Sequence, residues 1–400
     1  MQERPAGFPA DVTAMPILPA ATVTLSPTPV PTRTPRPTAG PGLTDLLLTP
    51  RAAAETGDTA AAQEGYLGIA SLYPESAAPF LALADLALQA GDRARALAYT
   101  EDAIRAAPDD PAPLRRLTVL LDDSVDDDRL IEAYGTLIEL EPSDVALPLA
   151  QALVLARNGQ ARAAIDALES AHELDSTTAY GWRNAAGEAA RVRDYHGAVT
   201  IASAGLRMYP ADSALLLARA LAYLSLQDAD RAQIDLNALL GYEPWNAEAA
   251  YWYGRALQEQ GRAAEAVVVF QRASDLALNT GPGGVEAGIT ALVEAAVTLA
   301  EIDPQGAYAL LAEGVVEYGS LDPLLLGYAR TDLFVGDHDL ALARLDGLVQ
   351  AGYSPALLWR GITRRDAGEE AAAREDLEAY LVLVPSGPDA EAAYRLLDAE

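Results

Sequence analysis

The sequence predicts an all-α protein, an α-solenoid of about ten helix–turn–helix repeats, and two observations lead to this fold class. Half of the 400 residues are hydrophobic while only 6% are aromatic, so alanine and leucine, both strong helix formers, supply most of the apolar surface. Five prolines recur at a fixed interval of 34 residues: Pro74, Pro108, Pro142, Pro210 and Pro244. Such spacing within helical sequence indicates a unit of structure that is repeated along the chain.

Residues 1–42 differ in composition from the rest of the chain. The stretch SPTPVPTRTPRPTAGPG has a proline at every second or third position over much of its length, which disfavours both helix and sheet pairing. We expect a disordered Pro/Thr-rich linker here. Segments of this type often follow an anchor or signal sequence, so an extracytoplasmic location after a missing or cleaved anchor is favoured over a cytoplasmic one. The apolar stretch at residues 15–25 is a candidate for self-binding through this tether.

Each 34-residue unit contains two helical stretches with a break between them, and seven units are expected within residues 43–278. Glycine tolerates the left-handed conformation that ends a helix, and it marks the break at Gly57, Gly91, Gly159 and Gly261. A small residue follows each break at a fixed distance, at Ala62, Ala96, Ala164, Ala198, Ala232 and Ala266. Pro50 lies inside the first helix of the first unit, so we expect that helix to start late.

The 34-residue interval is interrupted after residue 278. The stretch NTGPGGV at 279–285 matches the length of the shift, and we interpret it as an inserted Gly-rich loop between repeats. Three further repeats are expected within residues 286–386. Residues 387–400 contain the amphipathic stretch DAEAAYRLLDAE, which predicts a C-terminal capping helix, because the last repeat of an array otherwise exposes an apolar face.

Charge and composition exclude several classes of function. The net charge is −30, from 58 acidic and 28 basic residues, and every basic residue is arginine. A chain this acidic repels nucleic acid and anionic membrane surfaces, so the expected partner is a protein or peptide of neutral to basic character. The sequence lacks the lysine of a phosphate-binding P-loop and the cysteines of thiol catalysis or zinc sites. No apolar window is long enough to predict a membrane-spanning helix.

The polar clusters have ordinary structural interpretations. The acidic run DDSVDDD at 122–128 lacks the glycine and the trailing glutamate of a calcium-binding loop, and it falls at a turn where aspartates cap helices. The three histidines are scattered over three repeats without the spacing of metal ligands. We therefore expect no metal, no cofactor and no catalytic residue, and the chain is predicted not to be an enzyme.

The pattern resembles the tetratricopeptide repeat, a helix–turn–helix unit of 34 residues. The unit that begins at Ala247 carries the resemblance most fully, with the small, large and turn positions of the family occupied by Gly254, Leu257, Gly261, Ala266, Phe270 and Ala273. The resemblance covers nearly all of residues 43–386. It implies a right-handed superhelix that serves as a protein–protein interaction scaffold and binds a peptide or partner segment in its concave groove.

The resemblance also assigns residues to that groove, which the first helix of each unit lines. It implies that Tyr253 is a core residue, whereas Tyr251 and Trp252 face the groove beside Arg255. Arg255 is then expected to stack on a ring and to present its guanidinium to a ligand carboxylate or carbonyl. The full set of implied partner-binding residues is Tyr180, Arg183, Asn184, Arg191, Leu217, Leu221, Tyr251, Trp252, Arg255, Arg330 and Trp359.

Two other classes of function remain open at this stage. A structural or assembly module would contact its own copies or an envelope complex through an exposed apolar outer face. An enzyme would gather titratable groups into a cluster on the solenoid. Within the binding class, Arg183 and Asn184 form part of the clamp that some family members use for a peptide's terminal carboxylate. Gly187 stands where that clamp has asparagine, so this specificity is not expected.

Overall fold

The computed structural model describes residues 41–121, 126–280 and 284–398, without the side chains of residues 41 and 42. Apart from its last two residues, the linker predicted at 1–42 lies outside the described residues, and so does the candidate self-binding segment at 15–25. The loop predicted at 279–285 and the acidic run at 122–128 are described only in part.

The described chain is helical, without a strand, and its helices form ten consecutive pairs followed by one last helix. The first helices are α1 (Pro41–Glu55), α3 (Ala77–Gln89), α5 (Pro111–Leu121), α7 (Ala146–Arg157), α9 (Ala179–Arg191), α11 (Ser213–Ser225), α13 (Ala247–Glu259), α15 (Val285–Ala300), α17 (Asp322–Val335) and α19 (Pro355–Asp366). The second helices are α2 (Thr59–Leu72), α4 (Arg93–Ala106), α6 (Asp127–Leu140), α8 (Ala161–Leu174), α10 (Tyr195–Met208), α12 (Ala229–Tyr242), α14 (Ala263–Leu278), α16 (Pro304–Tyr318), α18 (His338–Gln350) and α20 (Glu370–Leu383). Helix α21 (Pro388–Asp398) is the last. The predicted all-α repeat array is therefore confirmed.

Polar residues at the turns fix where the helices begin. Many helices are preceded by a side chain that accepts a hydrogen bond from the backbone N–H three residues later, which satisfies a donor that the helix itself leaves unpaired. The capping residues of this kind are Asp58, Asp92, Asp126, Asp194, Asp212, Asp228, Asn246, Asp303 and Asp337. Asp126 belongs to the acidic run, and its role as a cap agrees with the interpretation of that run as a turn.

Helix α1 corrects one expectation. It begins at Pro41 and continues through Pro50, so the prediction that the first helix starts late was wrong. Pro50 packs against Gly65 of α2, where an added Cβ would lie 2.8 Å from the Pro50 Cβ. The space that Gly65 leaves accommodates the proline ring, and packing against α2 stabilises a helix that proline weakens locally.

The core follows the helix pairs along the chain, because each helix packs against its partner and against the neighbouring unit. Phe270 of α14, which is fully buried, lies against Gly254 of α13, where an added Cβ would lie 2.7 Å from the ring. A glycine is therefore required for the close approach of these two helices. Both positions are among those that carried the family resemblance. None of the helices in the described ranges is long and apolar enough to cross a membrane.

Helix α21 departs from this nearest-neighbour arrangement. It packs on α20, the helix before it, and also on α11, the first helix of the sixth unit. The C-terminal end of the described chain therefore contacts the middle of the array. This contact brings α21 beside α13, where the sequence places the predicted groove aromatics.

Candidate functional site

Three consecutive aromatic residues of α13 form the centre of the candidate site. The ring of Tyr251 lies 5.1 Å from that of Trp252, at an interplanar angle of 80°, and 5.7 Å from that of Phe270. The hydroxyl of Tyr253 accepts a hydrogen bond from the side-chain amide of Gln233 on α12 at 3.1 Å. All three aromatic residues of α13 are half-buried. Burial therefore does not separate Tyr253, the implied core residue, from Tyr251 and Trp252, the implied groove residues. Tyr251 also packs on the buried ring of Phe270.

Arg255 follows one helical turn later and is engaged within the chain. Its guanidinium donates to the hydroxyl of Tyr251 at 3.4 Å and to Oδ1 of Asp389, on α21, at 2.8 Å. The same group lies 5.8 Å from the ring centre of Trp252. The arginine stacks as the sequence led us to expect, but the carboxylate that it meets belongs to its own chain.

The environment of this pair shifts the pKa of three groups. Burial lowers the pKa of Arg255, but the interactions with Asp389, Tyr251 and Glu294 together outweigh it, so that the net pKa lies well above its usual value. Burial raises the pKa of Asp389, yet Arg255 reverses the effect and the net pKa is lowered. Burial, together with the charge of Glu294, raises the pKa of Tyr251 to about 12. At neutral pH, Arg255 and Asp389 are therefore a charged pair beside a protonated tyrosine.

A second set of contacts attaches α21 to the turn between α9 and α10. Nε and Nη2 of Arg193 donate to the carboxylate of Glu391 at 2.6 and 3.0 Å. The hydroxyl of Tyr195 donates to Oε1 of Glu391 at 3.1 Å and accepts from the backbone N–H of Gly387 at 3.0 Å. The guanidinium of Arg193 also lies 3.5 Å from the ring centre of Tyr394. One arginine therefore holds both a carboxylate and an aromatic ring of α21.

Sequence reasoning missed Arg193, although a signal was present. Arg193 stands at the turn position that glycine fills in other units, and it adopts the same left-handed conformation, with φ of 64° against 72° at Gly159 and Gly261. This conformation costs a non-glycine residue roughly 1–2 kcal/mol. An arginine kept at such a position suggests that its side chain makes a contact that offsets this cost. Gln227 occupies the turn of the next unit in a similar conformation, with φ of 59°, so the backbone signal alone does not identify a contact.

A cavity of about 560 Å³ opens beside α21, between α13 and α15. It combines aromatic, small and acidic side chains, among them Tyr251, Trp252, Ala287, Thr290, Ala291, Glu248, Glu286 and Asp389. No arginine is among the described residues that line it. A larger cavity of about 780 Å³ lies between α6, α7 and α8, and the described residues that line it include no aromatic side chain. The cavity beside α21 therefore has the composition that suits selective binding.

The predicted groove residues of α9 are exposed, and its two arginines have partners within the chain. Tyr180 is 51% exposed, and Asn184 is exposed beside it. Nε of Arg183 lies 3.0 and 2.9 Å from the two carboxylate oxygens of Asp212, the capping residue of the next unit's first helix. Arg191 donates to a glutamate one turn earlier in α9 at 3.0 and 2.8 Å.

The remaining predicted groove residues are more enclosed. Leu217 and Leu221 of α11 are half-buried and pack against the core. Arg330 of α17 is 6% exposed, donates to Glu294 of α15 through Nη2 at 3.0 Å, and lies 4.1 Å from the ring centre of Trp359 on α19. These three side chains join three successive first helices. Arg330 and Trp359 thus contact each other and neighbouring helices of the array, and Arg330 presents almost no surface to a partner.

The architecture defines the class of this protein: in the residues that the structure describes it is an α-solenoid of ten helix pairs and one last helix. The sequence model of the tetratricopeptide repeat family matches residues 217–277, which lie within α11 to α14. Residues 217–277 therefore carry tetratricopeptide repeats, and the helix pairs of the described chain have the tetratricopeptide-repeat solenoid fold. No curated protein sequence matches it.

Several solved structures share part of the fold at low sequence identity. A tetratricopeptide repeat protein from Parabacteroides merdae is 16% identical, with 64% of this chain and 99% of that chain covered and a TM-score of 0.34. The complex of Naa15 and Naa10 bound to HypK-THB is 14% identical, covering 86% and 58%, with a TM-score of 0.43. YrrB, described as having an unusual peptide-binding site, is 16% identical, covering 46% and 94%, with a TM-score of 0.31. Likenesses at this level say nothing about the function of this chain.

Proposed function

We propose that this chain is a non-catalytic protein–protein interaction scaffold that binds a segment of a partner protein in the groove between α13 and α15. The observation that carries this proposal is the cavity of about 560 Å³ beside Trp252. Binding pockets of about 300–1,000 Å³ typically combine apolar and aromatic walls with a few polar groups that orient the ligand. Trp and Tyr are also the side chains that dominate interface energetics, because they offer a large apolar area together with a polar atom.

The charges at the cavity favour a basic side chain as its occupant. Glu248, Glu286 and Asp389 line it without an arginine among the described lining residues. A lysine or arginine of the partner would lay its aliphatic stem along Trp252 and place its charge beside these carboxylates. The net charge of −30 adds a long-range attraction for basic segments. Because Arg255 is already paired with Asp389, the partner needs no carboxylate at this site.

Selection from a random peptide library against the immobilised full chain tests this proposal. We expect the selected peptides to be enriched in lysine or arginine next to aliphatic residues, and to bind more weakly as salt increases. Ala287→Trp should fill the cavity, since Ala287 is exposed at its wall. This change should weaken the binding of a selected peptide about tenfold or more.

The matched control is Ala94→Trp, which adds the same side chain at an exposed alanine of α4, five units before the unit of α13. It should leave both peptide affinity and helicity unchanged. Selected peptides without basic residues, or a peptide that binds the Ala287→Trp protein as tightly as the original chain, would remove this site.

Self-assembly is a second candidate function, and one observation favours it. Three successive second helices, α12, α14 and α16, each expose a large aliphatic side chain, at Ile234, Val268 and Val316. If they form a contact between copies, the sedimentation coefficient of the full chain should rise with concentration. Replacing all three residues by serine should abolish that rise. A monomer at every concentration would leave peptide binding as the single candidate.

A further inference from the structure

We propose that the surface formed by Arg193, Tyr195 and Arg255 is a binding site for an acidic amphipathic helix, which α21 occupies within the chain and which a partner helix of the same chemistry can occupy in its place. The proposal concerns the surface beneath α21 and does not depend on the function proposed for the neighbouring cavity.

The spacing of the acidic residues in α21 suits a helix held from two sides. Asp389 and Glu391 are two positions apart, so their side chains project in nearly opposite directions from the helix. Asp389 meets Arg255 on α13, and Glu391 meets Arg193 at the turn between α9 and α10. Tyr394 lies one turn after Glu391 on the same face, and its ring stacks on Arg193. The ligand is therefore a helix with two carboxylates two residues apart and an aromatic residue three positions after the second.

The surface formed by Arg193, Tyr195 and Arg255 has features that suit this contact. Arg193 holds a glycine-like backbone conformation, with φ of 64°, at the point where its side chain reaches α21. Its guanidinium makes two hydrogen bonds to one carboxylate, which is a directional arrangement specific to arginine. Tyr195 is buried at the same place and joins both Glu391 and the backbone of Gly387.

The contacts that α21 makes through its side chains with α13 and with the turn between α9 and α10 are mainly polar, which makes its position there replaceable. Its apolar side chains pack in one cluster with α19 and α20, where Ala390 and Ala393 are fully buried and Tyr394, Leu396 and Leu397 are half-buried. The charged contacts and the tether to α20 therefore supply much of the affinity for the middle of the array. A partner helix that offers the same groups can exchange with α21, and loss of the α21 carboxylates should make that exchange easier.

The test uses the full chain and a labelled synthetic peptide with the sequence of residues 386–398. In the Asp389→Ala, Glu391→Ala double variant, the chain's own helix loses both carboxylates. Fluorescence anisotropy should show that the peptide binds this variant about tenfold or more tightly than it binds the original chain, where the tethered helix competes. Adding Arg193→Ala to the double variant should abolish peptide binding, whereas adding Arg162→Ala, an exposed arginine of α8, should not change it.

A second measurement covers the position of α21 itself. The chain has no cysteine, so Asn184→Cys on α9 and Asp398→Cys on α21 give specific sites for spin labels, and both positions are exposed. Electron–electron distances should form one narrow population in the original chain and a broad one in the double variant. The proposal is overturned if the peptide binds none of these proteins, if Arg193→Ala leaves its binding intact, or if the distances stay narrow. Within the double variant, adding Arg193→Ala should leave the binding of a selected basic peptide at the cavity unchanged, because Arg193 is not among the described residues that line it, and this separates the result from the function proposed above.

Discussion

At the scale of single residues, Arg330 and Glu294 show how the array tolerates buried charge. Their side chains are 7% and 8% exposed, and they pair with each other beside the ring of Trp359. Because removing one partner leaves the other charge buried and unpaired, Arg330→Ala should lower the free energy of unfolding by about 3 kcal/mol. Urea denaturation of the full chain, followed by circular dichroism, measures this change.

Two further variants check the cause of that loss. The double change Glu294→Gln with Arg330→Met removes both charges at similar volume, and it should cost clearly less than Arg330→Ala alone. Arg162→Ala removes one member of an exposed ion pair on α8 and should change stability by less than about 0.5 kcal/mol. Equal losses for Arg330→Ala and Arg162→Ala would mean that the buried pair is not the source of the effect.

Two glycines inside first helices should respond to alanine with opposite signs. At Gly254 a new Cβ would lie 2.7 Å from the ring of Phe270, so Gly254→Ala should overpack the core and destabilise the chain by about 1–3 kcal/mol. At Gly187 nothing lies within 4 Å of the added Cβ, so Gly187→Ala should stabilise α9 by about 0.5–1 kcal/mol. Thermal unfolding measures both, and shifts of the same sign would contradict the packing described at Gly254.

At the scale of helices, the sequence predicts the array because each unit repeats the same local chemistry. Caps, turn glycines and small residues recur at fixed distances, and they specify helix starts and close approaches without knowledge of the rest of the chain. Pro50 was misjudged because the space that accommodates it lies on another helix, at Gly65. The docking of α21 could not be predicted, since its contacts join residues almost 200 positions apart and follow no period. The sequence placed Tyr251, Trp252 and Arg255 together on α13, but it did not indicate that Arg255 pairs with Asp389 of α21.

Helix α21 should leave its site on acidification. The pKa of Asp389 is lowered by Arg255 against the effect of burial, and the pKa of Glu391 is lowered by Arg193 and Tyr195 against the same effect. A carboxylate whose folded pKa is lowered stabilises the docked helix fully above its unfolded pKa, about 4, and loses that contribution as pH falls through the folded value. Docking should therefore be constant from neutral pH down to about pH 5 and weaken below about pH 4.

The spin-labelled chain described above measures this response directly. The distance distribution between α9 and α21 should broaden as the pH is lowered through the acidic range. A variant with Asp389→Asn and Glu391→Gln has no carboxylate to titrate at either contact, so its distribution should not depend on pH within that range. Broadening of the original chain near neutral pH would show that other groups control the contact.

At the scale of the whole molecule, the contact of α21 couples units that are distant in sequence. In a simple repeat array each unit is stabilised by its immediate neighbours, and local opening spreads along the chain. Here α21, which packs on the tenth unit, is also joined to the turn between α9 and α10, to α11 and to α13. The double variant Asp389→Ala, Glu391→Ala should therefore raise amide hydrogen exchange in α20 and in α9 to α11 together, while α3 to α6 keep their rates. Changes confined to α21 would show that the contact carries no coupling.

The same contact divides the array mechanically. A row of stacked helix pairs with free ends behaves as a spring, whose curvature changes when the ends are pulled or when a long ligand is laid along it. The contact of α21 with α11 restricts changes of curvature in the later units, whereas the earlier units keep the ability to bend. One end of the molecule should then be compliant and the other stiff, with the aromatic residues of α13 on the stiff side. A partner pulling on the compliant end would stretch the early units first, before the tension reached the place where Trp252 lies.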